Sequence, residues 1–468
     1  MPSLLLKYSS TTSYKTLTLA ASILIVFVVY SFTNQLTSFK NDFTNLDTLS
    51  SSQHTTNISH IVFGLVGSTK AWHFRKSYIE SWWRPNVTRG YLYLDTNPTN
   101  DLLPWSPKSP PCRISDDNTK LLNETKHVAP IMVRMVHAVI EVFREEHEDV
   151  RWYVMGDDDS VFFVDNLVDV LSKYDHTKYI YIGGHSESIM SNQWFSYDMG
   201  FGGAGLIMSY PLGKMVQKNI EDCFRRYPYL TSADHILMTC VNDFGVSVTI
   251  HQGLHQMDLH GDVSGFLSSH PKAPLLSLHH LDHVEPIFRS MNRFKSINHL
   301  MKAANVDQSR LLQQTICYNR HLNWSFSVSW GYSVHIYEQI IPRSILKIPL
   351  ETFTPWVRNA NPPFYIFNTR PVLNNSCATP HVFSFESVKT INKDYIVTQY
   401  VRQASRRLPP CELAGRGSAD DVSRLYVVSR VIKPNQNGKT ECCDVVKSND
   451  VKVVKLKLRE CMEDELIA

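Results

Sequence analysis

The chain has 468 residues, with 47 lysines and arginines against 44 aspartates and glutamates and a formal net charge of +3. That length can bury a large core and suits two folded units. The near-balance of charge, without a long basic block, gives nucleic-acid binding no support.

The run Leu17 to Phe32 carries no charge and follows Lys7 and Lys15. At about 1.5 Å per residue it is slightly short for an average bilayer and fits a thin early-secretory one. A cleaved signal peptide is the rival reading, because the run is signal-like in length. Against cleavage, Ser31-Phe32-Thr33 is bulky at its centre. The expectation is an uncleaved transmembrane signal anchor at 17–32, a cytosolic tail at 1–16 and a lumenal body, following the positive-inside rule. Residues 33–56, rich in Ser, Thr and Asn, read as a stem. Glycosylation sequons begin at Asn57, Asn86, Asn123, Asn323 and Asn374, all after the apolar run. Of nine cysteines, six lie beyond residue 300, a density that suits an oxidising compartment. There is no Cys-x-x-Cys, and the odd total leaves at least one thiol free or paired between chains.

Order is predicted from Ile58. Ile61 to Gly67 reads as a buried strand, Trp72 to Trp83 as a helix, and Tyr91 to Asp95 as a second strand ending in a carboxylate. The Pro-rich stretch 98–111 is a loop. Ile131 to Glu148 is the clearest helix, with Ile131, Met135, Ala138, Val139 and Val142 on one face. It leads into the strand Arg151 to Gly156, which runs into Asp157-Asp158-Asp159. A helix over Asp165–Tyr174 and the strand Tyr179–Gly184 follow. Alternation of this kind predicts an α/β sheet. Gly200 to Gly205 lacks both the Walker lysine pattern and the GxGxxG spacing, so its glycines serve close backbone approach or a tight turn. Beyond about residue 315 strand-like runs dominate, such as Ser325–Ile336, Phe364–Phe367, Leu425–Ile432 and Val451–Leu458. They predict a β-rich, disulfide-stapled unit at 315–468 after an α/β unit at 57–314.

The aspartate triplet carries the chemistry. Three adjacent carboxylates repel one another, and no lysine flanks them to offset the repulsion. A hard divalent cation, Mn²⁺ or Mg²⁺, does so and leaves sites open for phosphate oxygens. The carboxyl end of a buried strand is also where open α/β sheets bind ligands. The plain alternative is a solvated acidic turn.

With these segments in place, the chain resembles the fringe-like glycosyltransferases of glycosyltransferase family 31, and among them the plant fringe-related group with a domain of unknown function. The matching pieces are His60-Ile-Val-Phe-Gly, Trp72-x-x-Arg75-Lys76, Trp82-Trp83-Arg84-Pro85, Arg89 to Asp95 and Trp152 to Asp159. They continue through Gly202 to Gly205, Ser209-Tyr-Pro-Leu212, His255-Gln256-Met-Asp258 and Pro274 to Asp282. The resemblance implies a GT-A fold and an inverting, Mn²⁺-dependent transfer of a hexose or N-acetylhexosamine from a UDP-sugar to a glycan hydroxyl, with a β-1,3 linkage expected. It also implies a type II membrane protein of the Golgi. Asp157 and Asp159 then match the metal ligands, and His255 falls where such enzymes place a histidine on the same metal. Arg75, Asp95 and Asp158 match the nucleotide-holding positions.

Asp234 falls where the family carries a pair of acids that includes the catalytic base, and only one acid is present here. Its plain reading is a helix N-cap for Ile236 to Val241. Asp243, Asp258 and Asp262 are weaker rivals. Trp194, Phe195, Tyr197 and Phe201 are either core or stacking faces for a sugar ring. His279-His280-Leu281-Asp282-His283 has a metal-site composition, but adjacent histidines point different ways, so it reads as structural or as part of the acceptor region. Two other classes remain open: a catalytically silent, glycan-binding lumenal scaffold, and a metal-dependent hydrolase, for which the separated ligands of a two-metal site are not evident.

Overall fold

The computed structural model describes residues 55–145, 148–412, 417–431 and 441–467. The expected anchor at 17–32, and the stem up to residue 54, lie outside the described residues. Among the described residues no helix is long and apolar enough to cross a membrane. Thr56–Ala468 is one compact unit.

The chain begins with β1 (Ile61–Val66), the helix Thr69–Trp82, β2 (Arg89–Leu94) and β3 (Cys112–Ile114). The helix Pro130–Arg144 then leads into β4 (Trp152–Asp157). Next come β5 (Val161–Phe162), β6 (Tyr181–Gly183), β7 (Leu206–Ser209) and β8 (Val248–Ile250). Seven of these strands form one sheet in the order β3-β2-β1-β4-β7-β6-β8. β3, β2, β1 and β4 run parallel, and β7 is antiparallel to its neighbours β4 and β6. β1 is buried at every position and β4 at all but its last, as strands covered on both faces must be. Helix Pro130–Arg144 lays Val133, Val136, Val139 and Val142 onto one face, against Val62, Tyr153 and Met155. It stops at Arg144, short of the expected Glu148. The acids that begin at Glu145 oppose the negative end of the helix dipole.

A smaller sheet lies beside the end of β4. β9 (Leu254–His255), β10 (Leu259–Gly261) and β11 (Ser277–Leu278) follow in the chain, and β5-β11-β9 pair in that order. From Gln314 the chain is mostly strand: β12 (Gln314–Asn319), β13 (Trp324–Ser329), β14 (Ser333–Tyr337), β15 (Phe353–Pro355), β16 (His381–Thr390), β17 (Tyr395–Arg402), β18 (Arg424–Arg430), β19 (Cys442–Val446) and β20 (Val453–Arg459). All but β15 form an eight-stranded sheet, and β15 pairs with β10. The run expected as one strand over Ser325–Ile336 is a hairpin that turns at Gly331, whose φ of +75° favours glycine. Phe364–Phe367 makes only an isolated bridge, Tyr365 to Ser188. Pro362-Pro363 just before it offers no N–H to a ladder. One hydrophobic cluster runs through both sheet systems, from Phe63, Phe162 and Leu278 to Phe326, Val334, Phe385 and Leu456.

Four disulfides join Cys223 to Cys240, Cys317 to Cys443, Cys377 to Cys411 and Cys442 to Cys461, and Cys112 is free. The adjacent Cys442 and Cys443 take different partners because successive strand residues face opposite ways. Cys317–Cys443 ties β12 to β19 across a separation of 126 residues. Replacing both by Ser should lower unfolding stability by roughly 2–5 kcal/mol. Guanidinium unfolding checks this, and an unchanged midpoint would mean that the strand pairing alone carries the closure.

Candidate active site

β4 delivers the aspartates into a tight turn. The Ser160 N–H donates to the Asp157 carbonyl at 3.1 Å. Its Oγ accepts from the Asp157 N–H at 2.8 Å and donates to the Gly203 carbonyl at 2.6 Å. Asp158 and Asp159 are buried, and Asp157 keeps 25% of its side chain exposed. For Asp158 and Asp159 the repulsion is offset from within the chain, by an arginine 83 residues before Asp158 rather than by a flanking lysine. Arg75, on helix Thr69–Trp82, places Nη1 2.8 Å from Asp158, Nη2 3.2 Å from Asp159 and Nε 2.9 Å from Asp282. Tyr78 donates to the other oxygen of Asp282 at 2.6 Å. With all three nitrogens engaged, Arg75 supports the aspartates. The Ser68 N–H also reaches Asp158, at 3.3 Å.

The histidine beside the aspartates is His279. Its Nε2 lies 3.1 Å from Asp159 Oδ1 and 3.6 Å from Asp157 Oδ2. Its Nδ1 is 3.2 Å from Gln256 Oε1, which also accepts the Ala204 N–H at 3.0 Å. An oxygen there requires Nδ1 to carry a proton, so Nε2 is the atom that donates to the carboxylates in the charged ring and offers its lone pair in the neutral one. His279 lies flat against Gly203, where a Cβ would fall 2.0 Å from the ring. Ligand atoms of Asp157, Asp159 and His279 all lie within 4.8 Å of one another. Two carboxylates and an imidazole fit Mn²⁺.

His255 does not join them, contrary to the expectation from the resemblance. β11 runs parallel to β9, with Leu278 opposite His255. Those two side chains share one face of the sheet, so His279, one residue on, faces the other way. His255 points instead at Glu187, with Nδ1 2.9 Å from Oε1. The expectation that His279 and His280 diverge also fails. His280 adopts a left-handed φ of +56°, and the two rings lie 3.9 Å apart. His280 Nδ1 is 2.8 Å from Asp258, which accepts from Ser186 at 2.6 Å. Trp356, just after β15, stacks on both His260 and His280, at 4.8 and 5.0 Å.

Asp234 lies in the first turn of helix Ala233–Asn242, and Ser232, not Asp234, occupies the N-cap position. Its carboxylate approaches Gly202 so closely that a Cβ there would be 2.4 Å from Oδ1. Asp234, Gly202 and Asp157 line one small cavity of about 40 Å³. The glycine segment thus serves close approach by both His279 and Asp234. Asp95, at the end of β2, accepts the Thr69 N–H at 2.8 Å and so caps the helix that carries Arg75. Of the rival bases, Asp243 pairs with Arg226, Asp262 with Arg289 and Asp258 with His280. Phe201 is core, while Trp194 and Tyr197 are exposed.

Charge follows this geometry. Burial and the neighbouring Asp159, Asp234 and Asp158 charges hold Asp157 well above the usual carboxylate range. Burial and Asp159 push Asp158 up to about 6, against the pull of Arg75. Burial also works against Asp159, but His279 and Arg75 outweigh it and hold that carboxyl below the usual range. Burial raises Asp234 to about 6, with the Gly202 N–H opposing.

Residues 58–267 match the family model described as Fringe-like, a span that contains the aspartate turn and Asp234. This part of the chain is a fringe-like glycosyltransferase domain. The chain belongs to the family described as protein of unknown function DUF604, whose model matches residues 191–443, more than half of its length. No curated protein matches the sequence. Among solved structures, it is similar to a glycosyltransferase involved in glycosylation of the major capsid of PBCV-1, at 13% identity, covering 51% of this chain and 97% of that one, with a TM-score of 0.27. It is also similar to a mannosyltransferase from Pyrobaculum calidifontis in complex with GDP-Man and Mn²⁺, at 8% identity, 42% and 55% coverage and a TM-score of 0.25. Mouse xyloside xylosyltransferase 1 gives 9% identity, 41% and 84% coverage and a TM-score of 0.27. Scores this low transfer no chemical role.

Removing Arg75 leaves Asp158 and Asp159 buried without their cation. Arg75→Ala should cost about 3–5 kcal/mol of stability in EDTA, the scale of breaking a buried pair. Excess Mn²⁺ should recover part of it, because the ion restores positive charge at the same carboxylates. Denaturant unfolding under both conditions measures this. An equal loss in both would mean that the turn does not bind the ion.

Proposed function

We propose that the protein is a Mn²⁺-dependent inverting glycosyltransferase of GT-A fold. It moves a hexose or N-acetylhexosamine from a UDP-sugar to a glycan or glycoconjugate hydroxyl, forming a β-1,3 linkage. The observation that carries this reading is the convergence of Asp157, Asp159 and His279, with Asp234 lining the same small cavity as Asp157. Asp157 Oδ2, Asp159 Oδ1 and His279 Nε2 would hold the ion, whose chemistry is Lewis-acid stabilisation of the departing diphosphate. Gln256 keeps the proton on His279 Nδ1 and so keeps Nε2 available. Arg75 holds Asp158 and Asp159 in place. Asp95 lies at the carboxyl end of β2, where open α/β sheets receive ligands, which supports a place beside the nucleotide.

Asp234 takes the proton of the attacking acceptor hydroxyl. A carboxyl raised to about 6 is a better base than an ordinary one and is still ionised near neutrality. Trp194, 66% exposed, adjoins Phe195, whose ring lies 6.3 Å from that of His235, next to Asp234. That exposure supports a stacking face for the acceptor sugar. A Golgi type II arrangement with a lumenal body accords with four of the five sequons, at Asn57, Asn86, Asn123 and Asn374, being exposed.

UDP release from a panel of UDP-sugars, with and without Mn²⁺, tests the activity. Asp234→Asn should preserve UDP–Mn²⁺ affinity and cut transfer by about a hundredfold or more. Transfer by the parent protein should fall as pH drops through about 6, where the base becomes protonated. A normal rate in the variant would move the base elsewhere, and no transfer from any donor would favour a silent glycan-binding protein. Separately, His279→Ala should abolish Mn²⁺-supported UDP binding in calorimetric titration, whereas unchanged affinity would remove His279 from the ligand set.

A further inference from the structure

Among the described residues, five clusters of His, Cys, Asp and Glu bring one ligand atom each within 4.8 Å of the others. Asp157, Asp159 and His279 form the site above. In a second cluster Cys442 and Cys461 are joined in a disulfide. In two more, arginine already supplies positive charge: Arg144 pairs with Asp116 beside His137, and Arg406 pairs with Glu338 and Asp420 beside His381. The fifth is Glu187, His255 and His270. There the ion pair recorded for Glu187 is with His255, with no lysine or arginine at the carboxylate among the described residues.

Glu187 and His255 are each 2% exposed. Glu187 Oε2 accepts the Met257 N–H at 2.6 Å, and Oε1 meets His255 Nδ1 at 2.9 Å. With the Nδ1 proton directed at the carboxylate, the neutral ring carries its lone pair on Nε2. That atom is buried and has no hydrogen-bond partner, and the same is true of His270 Nδ1. The two rings lie 5.5 Å apart. The rings around His270 are apolar: Phe266 at 4.6 Å and Phe367 at 4.1 Å. Each such orphaned polar atom carries a desolvation penalty that the fold does not return, and a buried carboxylate without a full positive partner carries a larger one.

We propose that His255 Nε2 and His270 Nδ1, with Glu187 behind His255, hold a second, structural divalent ion of the zinc class, separate from the ion of the aspartate turn. Imidazole nitrogens suit zinc, and a carboxylate behind a ligating histidine is the arrangement that orients such a ring. Glu187 supplies the compensating negative charge. The ion ties together the segment after β6, which carries Glu187, the end of β9, which carries His255, and the residue after helix Ser264–Ser269, which is His270. β9 pairs with β11, so the ion steadies the strand whose other face presents His279. It takes no part in transfer chemistry, and it stands or falls apart from the transferase reading.

The test is a zinc count on the full chain, loaded with Zn²⁺, dialysed against metal-free buffer and analysed by plasma mass spectrometry. The double variant Asp157→Asn/Asp159→Asn removes the carboxylate ligands of the first site. It should retain about one zinc per chain, and adding His270→Gln should lower this below about a tenth. His270 is half-buried, the least enclosed of the three, which favours folding of that variant. If His270→Gln nevertheless fails to fold, a Zn²⁺-dependent rise in Tm of the double variant reads the same site by mass action. No retained zinc and no rise in Tm in the double variant, or zinc retained equally after His270→Gln, overturns the proposal.

Discussion

Three adjacent carboxylates at the end of β4 impose the constraint around which the rest of the site is arranged. Two of them are buried, and buried charge is tolerated only where partners surround it. Arg75 arrives from the helix after β1, and His279 arrives from the end of β11. Each is held in turn: Arg75 by Asp282, and His279 by Gln256 and by the space that Gly203 leaves open. Asp157, which keeps part of its side chain open, has no arginine paired with it among the described residues, and burial and its acidic neighbours push its carboxyl up. That imbalance is what a cation would relieve.

Strand register then selects the residues. In the small sheet a shift of one residue exchanges the faces of every side chain. The pairing of Leu278 with His255 therefore sends one histidine to the aspartates and the other to Glu187. The two buried histidine clusters lie on opposite faces of a sheet of only three strands. The same economy of backbone appears at Gly202 and Gly203, neighbouring residues that admit Asp234 and His279 respectively.

The C-terminal strands contribute to this region as well as to their own sheet. β15 pairs with β10, and Trp356 just beyond it stacks on His260 and His280, which ties β10 and the histidine turn to the later part of the chain. A common hydrophobic cluster continues from the α/β sheet into the eight-stranded one. Four disulfides hold strands and loops that local hydrogen bonding alone would join only weakly.

Much of the architecture was legible in residue order. The apolar runs at Ile61 and Trp152, the Ala138, Val139 and Val142 face of helix Pro130–Arg144 and the aspartates at a strand end carry periodicities that depend only on neighbours along the chain, although Ile131, expected on that face, is exposed. The aspartate turn was recognisable because its residue types and flanking elements lie within a few positions, whereas Asp234 stands out only through the resemblance to the fringe-like family. What the sequence could not determine was everything set by contacts between distant segments. That Arg75 meets Asp158 follows from where the helix after β1 packs, that His279 and not His255 faces Asp157 and Asp159 follows from strand register, and that Cys442 and Cys443 part company follows from which strands flank β19. Local pattern says which residues share a face of an element, whereas only the packed sheets decide which faces meet.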